Sequence, residues 1–472
     1  MKLALSRKNL WDKLPKALKG TIGRALSIVP LERVLGRQFR RTLAFATEAQ
    51  WWNADTVRTY QLEQLRRIAT LAYERTPFYR KLFDAHGFDP NGLKSLDDFA
   101  ELPTIDKSTV LSNLNEMCAV PPQSAGVDFV STGGTSGIPL NFYIGADRSA
   151  VEYAYLVASW QRAGFRLGMP VAIFRGLMVP EDADGLRHKY DPLLRQHAYS
   201  NFHMTDENMQ RYLAHLATIG PCFLHVYPSS IAALTRFIQR RHVPVPTNVR
   251  GIIAESEMVY PDQREAAEKT FGVRFFSCYG HTEKLVLGAE CEHSTDYHVW
   301  PTYGYFELID EHGRTITTPG RHGEIAGTGF INKVMPFIRY RTGDYATYVA
   351  DRCEACGRQH VLIRDVQGHR TQEMLIASDG AEISWTAMNM HDDTFLNVRQ
   401  FQFYQTVPGQ AVLRLVPDKG YGDNDRDRIL RNLGRKFDHR LDFTIDRVDA
   451  IALSPRGKAI YIDQRITTNQ MS

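Results

Sequence analysis

Three short apolar runs set the frame for this chain. Pro170-Val-Ala-Ile-Phe174, Cys222-Phe-Leu-His-Val-Tyr227 and Gly251-Ile-Ile-Ala254 are each too short for a stable helix, and helical stretches separate them. Short apolar runs that alternate with helical stretches mark layered strands and helices. The region from about 150 to 300 is therefore expected to be an α/β layered domain.

At 472 residues the chain exceeds what one core supports, so two or more domains are expected. Residues 54 to 86 carry Leu62, Leu65, Ile68 and Leu71 at helical spacing, with Pro77 and Gly87 as punctuation. Strands rich in β-branched and aromatic residues are expected around 303 to 310, 323 to 331 and 337 to 350. After residue 370 the character changes. Strands at 398 to 406 and 411 to 416, a charged helix at 423 to 440 and a strand at 444 to 452 lead to Leu453-Ser-Pro-Arg-Gly-Lys458. This reads as a separate small α+β domain. The division is 1–50, a basic amphipathic region; 51–368, the large domain; and 369–472, the small one.

Residues 1 to 41 hold eleven Lys and Arg against Asp12 and Glu32. A basic amphipathic helix over 12 to 46, broken at Pro30, either packs on the body of the protein or lies on a membrane surface. No apolar run reaches the roughly 18 residues that span a bilayer, and charge interrupts the start too early for a signal peptide. The expected location is the cytoplasm, with peripheral contact at the inner face of the membrane if the basic helix is used that way.

Ser131-Thr-Gly-Gly-Thr-Ser-Gly-Ile-Pro139 combines backbone N–H groups that glycine lets converge with hydroxyl donors, which suits phosphate. No Gly-Lys-Ser/Thr follows, so it is not a Walker loop. Downstream stand Cys278-Tyr-Gly-His-Thr-Glu283, Arg339-Tyr-Arg-Thr-Gly-Asp344 and, late in the chain, Lys458. Activating a carboxylate with ATP requires a flat surface for adenine, an acceptor for the ribose hydroxyls, a carboxylate for Mg²⁺ and a cation at the α-phosphate. Tyr279, Asp344, Glu283 and Lys458 are of those types, in that order.

In this sequence the four motifs together resemble the adenylate-forming superfamily, and within it the phenylacetate-coenzyme A ligase-like, CapK-type branch. The resemblance runs from about residue 50 to the end and includes Thr76-Pro-Phe-Tyr-Arg80 and Leu102-Pro-Thr-Ile-Asp-Lys107. It implies a large layered N-terminal domain and a small mobile C-terminal lid. It implies that Thr132, Gly133, Gly134, Thr135, Ser136 and Gly137 hold the ATP phosphates. Ser256 and Glu257 would border the adenine, and Tyr279, followed by Gly280, would stack on it. Thr282 would contact phosphate, Glu283 would bind Mg²⁺, Asp344 would hold the ribose with Arg370 nearby, and Lys458 would serve adenylation. Two departures stand out. Leu140 follows the loop proline where many relatives carry lysine, and Gly368-His-Arg-Thr-Gln-Glu373 puts Gln372 at the family's hinge position.

Six cysteines are too few for a disulfide scaffold in a chain this long. Cys353-Glu-Ala-Cys356 is half of a structural Zn²⁺ site, and Cys291 and His298 are the expected partners, with His293 the rival histidine. A redox pair is the other reading of the Cys-x-x-Cys.

The activity implied is ATP-dependent formation of an acyl-adenylate from a small carboxylic acid, with pyrophosphate released and the acyl group passed to coenzyme A. The implied cofactors are ATP, Mg²⁺, coenzyme A and structural Zn²⁺. Transfer to a sugar amine or hydroxyl of a capsular or surface glycan, and a degenerate nucleotide-binding protein, are the alternatives. Asp351, Arg352 and Glu354 leave no basic patch at the knuckle, which argues against a nucleic-acid partner.

Overall fold

The computed structural model describes residues 30–131, 140–175, 179–201, 204–368, 374–378, 382–384, 393–395, 397–437, 440–452 and 460–466. Described residues up to Gly368, apart from 260–265, form one compact unit, and those from Met374 onward belong to a second.

The first unit opens with helices α1 (Arg37–Ala49), α2 (Ala54–Arg75) and α3 (Pro77–Ala85). Of the basic helix expected over 12 to 46, residues 12–29 lie outside the described residues. The rest is a short turn, Leu31–Val34, and α1, which begins after Gly36 and runs on to Ala49. Phe39, Leu43 and Ala46 share one face of α1 and are buried with Ala154, Tyr155 and Ala158. Over 37–49 the helix therefore packs on the body of the protein. The helical stretch expected over 54 to 86 divides at Thr76-Pro77. Proline forces Thr76 into extended backbone (φ −124°, ψ 127°), and the Thr76 Oγ1 then caps α3 by accepting from Tyr79 N at 3.2 Å.

A hairpin of β1 (Val127–Ser131) and β2 (Asn141–Gly145) leads to helix α4 (Arg148–Gln161). Then come β3 (Val171–Phe174), β4 (His188–Asp191), β5 (Gln196–Tyr199), α5 (Asp206–Leu216), β6 (Cys222–Val226), α6 (Pro228–Arg241), β7 (Val249–Glu255), α7 (Pro261–Phe271) and β8 (Phe275–Gly280). Short strands β9 (Leu287–Ala289) and β10 (Tyr297–Val299) precede the longer β11 (Gly304–Ile309), β12 (His322–Gly329), β13 (Tyr340–Ala350) and β14 (Leu362–Gly368). Twelve of these strands make one sheet in the order β11-β12-β13-β14-β10-β9-β8-β7-β6-β3-β5-β4. From β8 to β5 neighbours are parallel, and from β8 to β11 they are antiparallel.

The apolar runs explain the parallel half. Ala172, Phe174, Leu224, Val226, Ile252 and Ala254 face Leu213 and Leu216 of α5 and Ile231, Leu234 and Phe237 of α6. The alternate residues Val171, Ile173, Phe223 and Ile253 face Tyr155, Ala158 and Trp160 of α4. Both faces are covered, so the strands read as continuous apolar runs. Pro228 starts α6 at its first position, and His242 closes it in the left-handed conformation (φ 52°).

In the second unit β17 (Val398–Val407) and β18 (Gln410–Pro417) form a hairpin with Gly409 at φ +79°. Helix α8 (Asp423–Lys436) then leads to β19 (Asp442–Arg447), parallel to β18, and β20 (Ile462–Gln464) runs parallel to β17. A smaller ladder pairs β15 (Met374–Ile376) with β16 (Glu382–Ser384). Phe403, Leu413 and Leu415 on the strands and Ile429 and Leu433 on α8 are buried. The helix ends at Lys436 rather than 440, and the strand expected over 444 to 452 runs instead from Asp442 to Arg447.

Candidate active site

In open α/β sheets, side chains gather outside the carboxyl ends of the parallel strands. Here Arg175 follows β3, Tyr227 follows β6, Glu255 ends β7, and Tyr279 and Gly280 end β8. Arg175 Nη1 donates to Glu255 Oε2 at 2.6 Å, and Nη2 donates to Ser256 Oγ at 3.0 Å. Trp160 Nε1 donates to Glu255 Oε1 at 3.1 Å, and the Arg175 guanidinium lies 5.4 Å from the Tyr227 ring centre. Burial, then the charge of Arg175, pushes the His225 imidazole below its ordinary value, and its Nε2 lies against Arg175 Nη1 and 3.3 Å from Glu255 Oε2. Burial works to raise Glu255, but the adjoining His225 and Arg175 overcome it and hold the carboxyl well below the usual range. Ser256 takes φ 72°, and Glu257 Oε2 accepts from Ser229 N at 2.9 Å near the start of α6.

Tyr279 and Asp344 lie 65 residues apart in sequence and meet in the fold. The Tyr279 hydroxyl donates to Asp344 Oδ2 at 2.8 Å. Burial, then the Asp344 charge, raises the phenol far above its usual range, so it stays a donor. Thr342 Oγ1 accepts from Asp344 N at 3.1 Å and donates to the Ile325 carbonyl at 2.8 Å. Glu324 Oε1 takes the N–H of Gly343, which sits at φ +73°.

Thr282 is half-buried in the turn that follows β8, and Glu283 is buried. His281 Nδ1 lies 2.9 Å from Glu283 Oε2, and His281 Nε2 accepts from Val286 N at 3.2 Å. The second contact assigns the ring proton to Nδ1, so His281 donates to Glu283. Burial favours the neutral acid, but the hydrogen bond from His281, with backbone N–H and Lys284, leaves Glu283 below the usual range. A β-carbon at Gly304 would strike the Leu285 carbonyl, and one at Gly327 would come 2.9 Å from the Leu285 side chain. Those glycines let the segment after Glu283 lie directly on β11 and β12.

The two opening motifs are struts for the Asp344 segment. Buried Tyr79 donates to the Pro336 carbonyl at 3.1 Å and accepts from Ile338 N at 3.0 Å. Buried Arg339, at φ +48°, grips Glu307 with two bonds of 2.9 and 3.0 Å and also donates to the carbonyls of Ala100 and Leu102. Ile105 then pairs with the chain on either side of Tyr340.

Cys291, His298, Cys353 and Cys356 bring their ligand atoms within 4.8 Å of one another. Cys356 Sγ is 3.4 Å from His298 Nε2. His298 Nδ1 lies 2.9 Å from the Asp296 carbonyl, which leaves Nε2 as the ligand nitrogen. His298, on β10, fills the place and His293 does not, although His293 N donates to Cys291 Sγ at 3.3 Å. Three thiols and one imidazole at this spacing fit a closed tetrahedral Zn²⁺ site. Arg358, next to the knuckle, is bidentate to Glu292 (2.6 and 2.8 Å) and donates to Gln50 at 2.9 Å.

Thr132, Gly133, Gly134, Thr135, Ser136 and Gly137 lie outside the described residues, as do Arg370, Gln372 and Lys458. Leu140 is buried in the core of Phe142 and Phe337, where a lysine would be costly. Sequence reasoning passed over Arg175, His225, Glu255 and His281. The one available signal was a polar residue inside or directly after a fully apolar strand, as at His225.

Residues 375–465 match the family described as the CapK C-terminal domain. A phenylacetate-coenzyme A ligase of Thermus thermophilus is 26% identical over 340 residues, which are 71% of this chain and 75% of that protein. A phenylacetate-coenzyme A ligase of Aromatoleum evansii is 30% identical over 297 residues, 61% of this chain and 66% of that protein. Among solved structures, a 2-hydroxyisobutyryl-CoA ligase in the postadenylation state with 2-HIB-AMP superposes with a TM-score of 0.67. It shares 19% identity, over 88% of this chain and 90% of that one.

Proposed function

Because the chain is a ligase of the phenylacetate-coenzyme A ligase-like, adenylate-forming enzymes, we propose that it joins a small carboxylic acid to AMP and then passes the acyl group to coenzyme A. In the first step a carboxylate oxygen bonds to the α-phosphorus of ATP. The bond from that phosphorus to the bridging oxygen breaks, and pyrophosphate leaves. In the second step the coenzyme A sulfur attacks the acyl carbon and AMP leaves.

The observation that carries this reading is the Tyr279–Asp344 hydrogen bond of 2.8 Å, with charged Glu283 on the same turn as Tyr279. A phenol tethered through its hydroxyl leaves a ring face for adenine, and Asp344 accepts from the ribose hydroxyls. Ser256 and Glu257 border the base. Glu283, already ionised and aimed by His281, suits Mg²⁺, and Thr282 contacts phosphate. The family resemblance assigns the phosphates to the loop from Thr132 to Gly137, the ribose to Asp344 with Arg370, and the cation that offsets charge at the α-phosphate to Lys458. Tyr227 and Pro228 wall the acid.

Cys291, His298, Cys353 and Cys356 hold a structural Zn²⁺, a reading supported by their spacing and donor chemistry. A sugar amine or hydroxyl is the alternative acceptor. Among the described residues no helix is long and apolar enough to cross a membrane.

ATP–pyrophosphate exchange over a panel of aryl, acyl and amino acids tests the first step. At least one acid should drive exchange and yield a hydroxamate with hydroxylamine. Lys458→Ala should abolish exchange and spare ATP binding. Exchange at the wild-type rate in that variant, or none with any acid, overturns the assignment. Adding coenzyme A should then convert the adenylate to a thioester.

A further inference from the structure

We propose that His188, His197 and His215 form a second metal site, separate from the cysteine knuckle, which takes a borderline divalent ion such as Zn²⁺ or Co²⁺. His188 and His197 stand on the edge hairpin β4–β5, and His215 stands in the last turn of α5. The register pairs His188 with Tyr199 and Tyr190 with His197. By the two-residue period of a strand, all four rings share one face of the hairpin.

A ring nitrogen of each histidine lies within 4.8 Å of one from each of the other two. His188 Nε2 and His197 Nδ1 are 3.1 Å apart. Two ligands on a tetrahedral ion with Zn–N bonds of about 2.0–2.1 Å stand about 3.3 Å apart. His215 Nδ1 is 2.8 Å from the Tyr199 hydroxyl. With its Nδ1 proton donated to that oxygen, the ring presents Nε2 to an ion.

The Tyr190 ring lies against His197, with centroids 4.5 Å apart. Three imidazoles leave a fourth position open, and three nitrogen donors select Zn²⁺, Co²⁺, Ni²⁺ or Cu²⁺ over Mg²⁺ or Ca²⁺. Each ligand rests on a different element, and β4 is the edge of the large sheet. A bound ion would clamp that edge hairpin to α5.

The test uses the full chain, stripped with chelator and titrated with Zn²⁺ or Co²⁺ under equilibrium dialysis. The wild type should take up about two ions, and a His188→Gln/His197→Gln variant about one. The Co²⁺ difference spectrum of wild type minus that variant should show ligand-field bands without thiolate charge transfer, which separates this site from the knuckle. Cys353→Ser should keep the histidine-bound ion, and if it fails to fold, the difference spectrum decides instead. Tyr199→Phe should weaken the histidine site about 10- to 100-fold. Equal metal uptake by wild type and the double histidine variant, or a difference spectrum carrying thiolate charge transfer, overturns the proposal.

Discussion

At the scale of single residues, the site rests on a few hydrogen bonds whose removal has different signatures. Tyr279→Phe keeps the ring and loses the bond to Asp344. A hydrogen bond to a charged group is worth ~1.5–3 kcal/mol, so KM for ATP should rise about tenfold or more while the fold is kept. An unchanged KM would separate the phenol from nucleotide binding. Glu255 gives a pH test. Its folded value is depressed, so its stabilising contribution is complete above the usual glutamate value of about 4.3 and is lost as pH falls through the folded value. The melting-temperature gap between wild type and Glu255→Gln should therefore be widest near neutrality and shrink on acidification. A gap constant with pH would mean that the ion pair does not set it. Tyr279, Glu283 and Asp344 were legible because each sits in a motif whose residue types match one chemical need. His225 was not, because it stands inside an apolar run and carries no periodic mark.

At the scale of elements, the α/β layering was legible from short apolar runs that alternate with helical stretches, and the edge hairpin β4–β5 was not. His188-Lys-Tyr-Asp191 and Gln196-His-Ala-Tyr199 are polar and aromatic, with neither continuous apolar character nor clean alternation. The two opening motifs were visible in sequence, but their purpose was not, since it depends on contacts more than two hundred residues away. Arg339 is the centre of that support, fully buried with Glu307. Arg339→Ala would strand the Glu307 carboxylate in the core, which costs ~3–5 kcal/mol. Urea denaturation should show that loss, whereas the double change Arg339→Met/Glu307→Leu should recover much of it. Gly304→Ala acts differently, because its new methyl must push the Leu285 backbone and with it the Glu283 turn. Its kcat should fall far more than its stability, and a variant with normal turnover would show that the turn can yield.

At the scale of the whole molecule, the large sheet joins a parallel half to an antiparallel half through the short strands β9 and β10. The cysteine cluster lies along this seam. His298 is on β10, Cys291 is on the β9–β10 connection, and Cys353 and Cys356 are on the β13–β14 connection. Tyr279 is on β8, on the parallel side, and Asp344 is on β13, on the antiparallel side. An ion held at the seam would tie the β9–β10 segment to the β13–β14 connection, next to the strands that carry Tyr279 and Asp344. Binding to the folded chain at a thousandfold excess over Kd stabilises by ~4 kcal/mol. Chelation should thus lower the melting temperature by several degrees and raise KM for ATP, and readdition of Zn²⁺ should restore both. Cys356→Ser should mimic chelation without responding to Zn²⁺, while the His188→Gln/His197→Gln variant should still respond. If chelation lowered stability but left KM for ATP untouched, the seam would be held by the strand ladders alone and the cluster would serve only its own loop.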